Sequence, residues 1–194
     1  CPTNGELHFF GYGNLFQPHV TYHLADADGN LTVNRPLEVT ALTMMHDFAM
    51  SAGHVIFMDL PIVFKLDIAI NGKGEMPFRW DDAYGARLGV LRRDDPFGEV
   101  RWFTVDPCYG FHVANAYDVS GAAGNSIVQQ AVRYPELWRD DGGFGASAVL
   151  WEWTLNLSDG TVSERQLDDR VVEFPRIDDR LAGLPARYAV SVAD

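Results

Sequence analysis

Three short runs of the sequence carry side chains that could form part of a metal site. His112 lies in YGFHVANAYD at residues 109–118, His46 lies in MMHDF at residues 44–48, and Glu173 lies in VEFPR at residues 172–176. Neutral imidazole is the commonest protein ligand for a metal ion. A carboxylate bonded to the second ring nitrogen fixes the tautomer of such a ligand and raises its basicity. The residue types therefore predict two ligands and one supporting acid.

Each of the three side chains also has a plainer interpretation. If His46 lies on a strand, it shares a face with the apolar Met44 and Phe48, and its imidazole then needs a partner to offset desolvation. His112 lies between small residues, which leave room beside its ring for a metal and a substrate. Glu173 could equally be a surface acid on an edge strand. A lone histidine on a strand is usually a core or surface residue, so the residues alone leave both interpretations open.

The remaining histidines and the cysteines are interpreted as structural. Four histidines keep the ordinary core or surface role, and the one that follows the turn at residues 51–53 is expected to face solvent: His8, His19, His23 and His54. Cys1 and Cys108 have neither CxxC spacing nor a framework of further cysteines. They predict two free thiols in a reducing compartment, and hence a cytoplasmic protein.

The composition excludes several classes of protein. The chain has 194 residues, 47% of them hydrophobic, which is enough for a sizeable core and predicts a single domain over residues 1–194. Fifteen basic against 27 acidic residues give a net charge of −12, which opposes binding to nucleic acid. No apolar run is long enough to cross a bilayer. Because the sequence opens at Cys1 directly into a turn and a strand, we expect it to be an internal piece of a longer protein.

The periodicity of the chain predicts an all-β fold. Short strand-like runs recur between turns that contain glycine, many of them Asp-Gly turns. The predicted strands cover residues 7–12, 20–24, 43–50, 54–60, 87–91, 100–105, 110–117, 126–134, 148–155 and 161–167. Such a pattern is typical of a sandwich, a barrel or a propeller, and periodicity does not separate them. Residues 62–70 are the one helix-like stretch. It is predicted to be a buried connector, with contact to a membrane interface as the alternative.

Seven runs, taken in order, give the chain a clear resemblance to one family. They are TNGELHFFGY at residues 3–12, MMHDF at 44–48, VIFMDLP at 55–61, YGARLGV at 84–90, WFTVDPCY at 102–109, FHVANAY at 111–117 and VEFPRI at 172–177. Together they resemble the carotenoid cleavage oxygenases, which include apocarotenoid-, lignostilbene- and resveratrol-cleaving enzymes. The match covers nearly the whole chain, and its order makes it specific.

The resemblance implies a fold and a cofactor. It implies about the middle blades of a seven-bladed β propeller, whose axis carries Fe(II) bound by four histidines. His46 matches the second ligand, His112 the third, and Glu173 the acid that accepts a hydrogen bond from the other ring nitrogen of His112. The first and fourth ligands of the family would lie outside this chain. We therefore expect the isolated piece to bind iron weakly and to be inactive.

The resemblance also implies a reaction. It is the O2-dependent cleavage of a C=C bond of a carotenoid or apocarotenoid to two carbonyl products. A stilbene substrate is the alternative within the family, and a β-rich binding or scaffold protein without catalysis is the alternative outside it. An apolar tunnel must hold the polyene or stilbene, and its candidate wall residues are Phe48, Phe64, Phe111 and Tyr117.

Two positions depart from the pattern of the family. Gly110 stands where a bulkier apolar residue is usual, which could widen the space near His112 or loosen the strand. Asp118 stands where the family often has glutamate. No role is assigned to either residue on this basis.

Overall fold

The computed structural model describes residues 1–72, 74–121, 124–139 and 147–193, and its architecture is all-β as predicted. One short helix, α1 (Leu66–Asn71), and one 3-10 turn (Asp179–Leu181) interrupt fourteen strands in these ranges. None of the helices described there is long and apolar enough to span a membrane.

The strands form antiparallel sheets of the size of propeller blades. The first sheet has the order β1-β2-β3 and the second has the order β4-β5-β8-β9. The third has the order β10-β11-β12-β13-β14, and β6 pairs with β7 in a separate ribbon. The bounds are β1 Leu7–Tyr12, β2 Val20–Ala25, β3 Leu31–Leu37, β4 Phe48–Met50, β5 His54–Asp59, β6 Ile62–Phe64, β7 Phe78–Trp80, β8 Arg87–Arg92, β9 Arg101–Thr104, β10 Val113–Gly121, β11 Gly124–Arg133, β12 Val149–Asn156, β13 Val162–Arg176 and β14 Val190–Ala193.

Local sequence explains the hairpin formed by β2 and β3. Between β2 and β3, the carboxylate of Asp26 accepts hydrogen bonds from the backbone N–H groups of Asp28 and Asn30. Gly29 occupies the left-handed region there with φ of 86°, which costs glycine no steric strain. An Asp-Gly turn of the kind that the sequence predicts thus joins the two strands, and the register of β2 against β3 follows from it.

The second and third sheets pack face to face and bury the main core. Ile56 and Met58 of β5 and Leu88 of β8 belong to the same buried cluster as Ile127 and Ala131 of β11. The alternation of inward and outward side chains along each strand orients these residues. This packing fixes the two sheets against each other, and with them the loops that precede β4 and β10.

The helix-like stretch divides into two elements. Ile62 and Val63 are buried in β6, so this part is the connector that was predicted. The rest is α1, which has no buried residue and exposes Leu66 and Ile70, so the prediction of a buried connector is wrong for α1. A six-residue helix has too few turns to bury a face unless it is packed on a neighbour.

Two predicted strands begin later than expected, and the difference concerns both candidate ligands. β4 begins at Phe48 and β10 at Val113, so neither His46 nor His112 lies within a strand. The alternation of faces that was expected around the two histidines is therefore wrong. Each residue lies instead in the loop that leads into the first strand of its sheet.

Candidate metal centre

The two histidines occupy corresponding places in consecutive sheets. Thr43 forms an isolated antiparallel bridge with Val63, and His46 follows three residues later. Tyr109 forms the same kind of bridge with Tyr134, and His112 also follows three residues later. The same arrangement of bridge, loop and first strand of a sheet therefore surrounds both side chains.

The two imidazole rings lie side by side. Their centroids are 5.2 Å apart and their planes meet at 86°. The ring of His112 is partly buried, with 26% of its side chain exposed, whereas His46 is exposed. Two rings 66 positions apart in the chain are thus brought into direct contact.

Hydrogen bonds assign the ring nitrogens. Nδ1 of His46 lies 3.0 Å from the carbonyl oxygen of Phe111, and Nδ1 of His112 lies 2.7 Å from Oε2 of Glu173. A carbonyl and a carboxylate only accept, so each Nδ1 carries the hydrogen and donates it. In the neutral form of each ring the lone pair is then on Nε2, which is the nitrogen left to bind a ligand.

The carboxylate of Glu173 accepts three hydrogen bonds. Oε2 accepts from His112 and from the backbone N–H of Phe174 at 2.9 Å, and Oε1 accepts from the hydroxyl of Tyr134 at 2.6 Å. Glu173 lies at an irregularity of β13, where pairing with β14 shifts register. The next residue, Phe174, has φ of 52°, and its ring centroid lies 4.6 Å from that of His112. A positive φ at a bulky residue is strained and is sustained here by the surrounding contacts.

Asp47 joins the two histidine loops. Its Oδ2 accepts from the backbone N–H of Val113 at 2.8 Å, and its Oδ1 accepts from the N–H of Phe48, also at 2.8 Å. Burial raises the pKa of Asp47, and the two N–H donors offset part of this effect. The residue after one histidine therefore holds the residue after the other.

Two tyrosine hydroxyls border the site. Tyr109 donates to the carbonyl oxygen of Met44 at 2.9 Å, and so ties the loop of His112 to the loop of His46. Burial raises the pKa of Tyr109 and of Tyr134, so both hydroxyls keep their protons and donate. Sequence reasoning missed Asp47, Tyr134 and Phe174. The first and last of these follow His46 and Glu173 directly and lie within the quoted runs, whereas Tyr134 is 22 residues from His112.

The four aromatic candidates for a tunnel wall differ in position. Phe111 is buried, and its ring centroid lies 5.3 Å from that of His46 and 6.2 Å from that of His112. Phe48 packs on Phe10, and Phe64 packs on Phe78. Phe48, Phe64 and Tyr117 make no ring contact with either histidine within the described ranges. Phe48 lines a cavity of about 210 Å³ next to Asp47. Core packing accounts for Phe111, which belongs to the main buried cluster, and for Phe48, which packs against the second cluster.

The donor set fits half of a histidine-bound metal centre. His46 and His112 each present Nε2, and Glu173 backs one of them, as the chemistry of a metal-bound imidazole requires. Over residues 1–72, 74–121, 124–139 and 147–193, no group of three or more His, Cys, Asp or Glu side chains is arranged to hold a metal ion. Two neutral imidazoles provide only two of the ligands that an iron site with four histidines needs.

Two further expectations are corrected by the geometry. His54 was expected to face solvent, but only 18% of its side chain is exposed and its Nδ1 lies 2.7 Å from Oδ1 of Asp118. Gly110 does not widen the space near His112. A Cβ there would lie 2.9 Å from the carbonyl oxygen of Val132, so the backbone of β11 already fills that position.

The comparisons with known proteins agree with the resemblance of the sequence. The family model described as retinal pigment epithelial membrane protein (RPE65) matches residues 1–194. A carotenoid cleavage oxygenase of Mycobacterium tuberculosis is 31% identical over 98% of this chain and 46% of its own. A carotenoid 9,10(9',10')-cleavage dioxygenase of Crocus sativus is 34% identical over 96% of this chain and 35% of its own. The chain thus spans less than half the length of these relatives.

Comparison with solved structures leads to the same family. The crystal structure of Pseudomonas brassicacearum lignostilbene dioxygenase superposes with a TM-score of 0.81 and 26% identity, over 99% of this chain and 42% of that one. Its partial coverage agrees with the prediction that the chain is part of a β propeller. On the full-length match of the family model and the identity to its curated relatives, the chain belongs to the RPE65, or carotenoid cleavage oxygenase, family.

Proposed function

We propose that this chain is part of a non-haem Fe(II)-dependent dioxygenase that cleaves a C=C bond of a carotenoid or apocarotenoid to two carbonyl products. The family and its dioxygenase relatives support the enzyme class. The observation that carries the iron site is the adjacency of His46 and His112, each with Nδ1 hydrogen-bonded and Nε2 left for a ligand. Stoichiometrically, one alkene bond and one O2 give two C=O groups, with no other reactant.

The residues of this chain would hold and orient the metal. His46 and His112 would bind Fe(II) through Nε2, and Glu173 would hold the His112 ring in the tautomer that leaves Nε2 unprotonated. Four neutral imidazoles leave the full charge of the ion uncompensated, so a carboxylate behind one ring offsets part of it. When bound, Fe(II) supplies the redox chemistry that lets O2 react with an alkene.

Two aromatic rings beside the imidazoles would form part of an apolar wall, which the rest of the complete protein would close, since Phe174 is 57% exposed in this chain. Phe111 and Phe174 lie against the two imidazoles, and their rings offer no hydrogen-bonding group to solvent. An apolar wall of this kind suits a polyene and keeps competing water from the reacting centre. Phe48, Phe64 and Tyr117 remain candidate wall residues further from the histidines.

A stilbene substrate is the second candidate. It is favoured by the structural neighbour named lignostilbene dioxygenase, which superposes over almost the whole chain. The sequence relatives named above favour a carotenoid, since both are carotenoid-cleaving by name. Incubating the complete protein with a carotenoid, an apocarotenoid and a hydroxystilbene, and identifying the carbonyl products, decides between them.

The iron site is tested in the complete protein by metal analysis. We expect about one Fe(II) per chain in the wild type, with loss of the iron and of cleavage in His112→Ala and in His46→Ala. His19→Ala is the control, because the His19 ring is hydrogen-bonded to the carbonyl oxygen of Asn14 and has no hydrogen bond or ring contact with His46 or His112 among the described residues. A metal-free protein that binds the apolar ligand without cleaving it would support the non-catalytic scaffold instead. The isolated 194 residues are expected to bind Fe(II) weakly, and tight 1:1 binding by them would contradict the need for further ligands.

The location of the protein and its contact with membranes remain predictions. A cytoplasmic location is predicted from the two free cysteines. Peripheral membrane contact is proposed for α1, where Leu66 and Ile70 are exposed. Cosedimentation with phospholipid vesicles tests it, and we expect Leu66→Glu combined with Ile70→Glu to abolish any binding.

A further inference from the structure

Tyr134 is placed rigidly beside the candidate metal centre. It follows β11 directly, and its backbone exchanges two hydrogen bonds with Tyr109, of 2.7 and 2.9 Å. It is 7% exposed, and its ring packs at right angles on Phe111, with centroids 5.6 Å apart. The hydroxyl therefore has a fixed position, from which it donates to Oε1 of Glu173 at 2.6 Å.

We propose that Tyr134 is a positioning residue that acts through Glu173 to hold the imidazole of His112 in the orientation needed to bind a metal. The metal-binding part of this proposal rests on the proposed iron site. The hydroxyl of Tyr134 donates to Oε1 of Glu173, and Oε2 of the same carboxylate accepts from Nδ1 of His112, so the carboxylate links the tyrosine to the ring.

The two oxygens of Glu173 have different partners. Oε2 takes both the Nδ1–H of His112 and the N–H of Phe174, whereas Tyr134 is the donor found for Oε1 among the described residues. The terminal torsion of a glutamate side chain has broad, shallow preferences, so a carboxylate fixed at one oxygen can still turn. The Tyr134 hydroxyl fixes the second oxygen, and the plane of the carboxylate is then determined.

Rotation of the Glu173 carboxylate would affect the candidate metal ligand His112. If the carboxylate turns, the hydrogen bond to Nδ1 of His112 bends or lengthens, and hydrogen bonds weaken steeply with poor angles. The His112 ring then loses both the constraint on its rotation and the preference for the Nδ1–H tautomer. Losing a group that orients a metal-bound histidine typically lowers metal affinity about 10- to 100-fold.

The chain offers a closely matched control. The hydroxyl of Tyr84 donates to Oδ1 of Asp59 at 2.6 Å, which is the same kind of bond at the same distance. Asp59 is buried and keeps Arg87 as a second partner, in the β5–β8 part of the second sheet. Tyr84→Phe therefore removes the same chemical group from a tyrosine–carboxylate pair that has no contact with either histidine.

The experiment compares Tyr134→Phe with Tyr84→Phe in the complete protein. The first measurement is the downfield proton resonance of His112 Nδ1–H in the metal-free protein, assigned by its loss in His112→Ala. We expect Tyr134→Phe to broaden or remove this resonance and to raise the Kd for Fe(II) about tenfold or more. Tyr84→Phe is expected to leave the resonance and the Kd for Fe(II) unchanged.

The possible results distinguish a failure of the proposed role of Tyr134 from a failure of the proposed iron site. If the wild type binds no Fe(II), the proposed function fails, but the resonance of the metal-free protein still decides whether Tyr134 holds His112. An unchanged resonance in Tyr134→Phe would overturn the proposal, whatever the metal data show. Equal losses in Tyr134→Phe and Tyr84→Phe would overturn it too, because they would indicate general loosening of the fold.

Discussion

The carboxylate of Asp47 accepts a hydrogen bond of 2.8 Å from the backbone N–H of Val113, so the residue that follows one candidate ligand holds the residue that follows the other. His46 and His112 belong to loops of two different sheets, and this bond fixes their separation directly. The second oxygen of Asp47 is engaged by Phe48, at the start of β4. The pair of imidazoles is thus held together by the backbone as well as by the cores behind them.

Asp47→Ala should loosen this connection. Removing the acceptor leaves a partly buried N–H of Val113 without its partner, which costs about 1–3 kcal/mol. We expect the free energy of unfolding to fall by about this amount in the complete protein, and its iron content to fall as well. Urea denaturation and metal analysis measure the two effects. Asp94→Ala is the control, because Asp94 forms an exposed ion pair with Arg92 and its loss should change stability by less than about 0.5 kcal/mol.

Glu173→Gln should weaken the metal centre while preserving the shape of the side chain. The amide has one accepting oxygen, whereas Glu173 accepts from three donors, so its NH2 group must face a donor. We expect iron occupancy or the rate of cleavage to fall about tenfold or more. Glu164→Gln alters a carboxylate that accepts from the indole N–H of Trp151 and the backbone N–H of Asp106, and it should leave iron occupancy and rate near the wild-type value. Wild-type iron content and rate in Glu173→Gln would remove this acid from the site.

Asp118 should make stability depend on acid pH. Burial tends to raise its pKa, but hydrogen bonds from His54, the N–H of Gly53 and Ser51 outweigh this and bring the pKa below the ordinary 3.8. A carboxyl with a depressed folded-state pKa stabilises the protein fully above its unfolded-state pKa and loses that effect as pH falls through the folded-state value. We therefore expect the free energy of unfolding to fall below about pH 3.8, and to fall less steeply in Asp118→Asn. Parallel curves for both proteins would contradict the assignment.

Gly110→Ala should destabilise the protein rather than narrow a widened pocket. The added methyl group would lie 2.9 Å from the carbonyl oxygen of Val132, so the backbone of β11 must move. Overpacking of this kind costs about 1–3 kcal/mol. Gly121→Ala is the matched control, because its added methyl group would meet no atom of the described residues within 4 Å. Thermal denaturation of both variants compares the effects, and equal melting temperatures would show that the strand accommodates the methyl group.

Sequence reasoning located most strands because their signal is local. The runs that became β1, β2, β5 and β8 alternate or cluster apolar residues over five to seven positions, and turn residues end them. The same reasoning began two strands too early, at residues 43 and 110, so that both histidines fell inside them. MMHDF and FHVANAY continue the apolar pattern of the strands that follow them, so nothing local indicates that His46 and His112 precede the pairing.

The sequence by itself determined the all-β class, the family and the identity of the two candidate ligands and their acid, because these depend on residue types and on their order. Only the tertiary structure decided that the two rings lie 5.2 Å apart and that Asp47 and Tyr134 support them. The bonds responsible join residues 66 and 39 positions apart, Asp47 to Val113 and Tyr134 to Glu173. Residues so far apart in the sequence are brought together by the packing of whole sheets on one another, and no periodicity along the chain encodes these contacts.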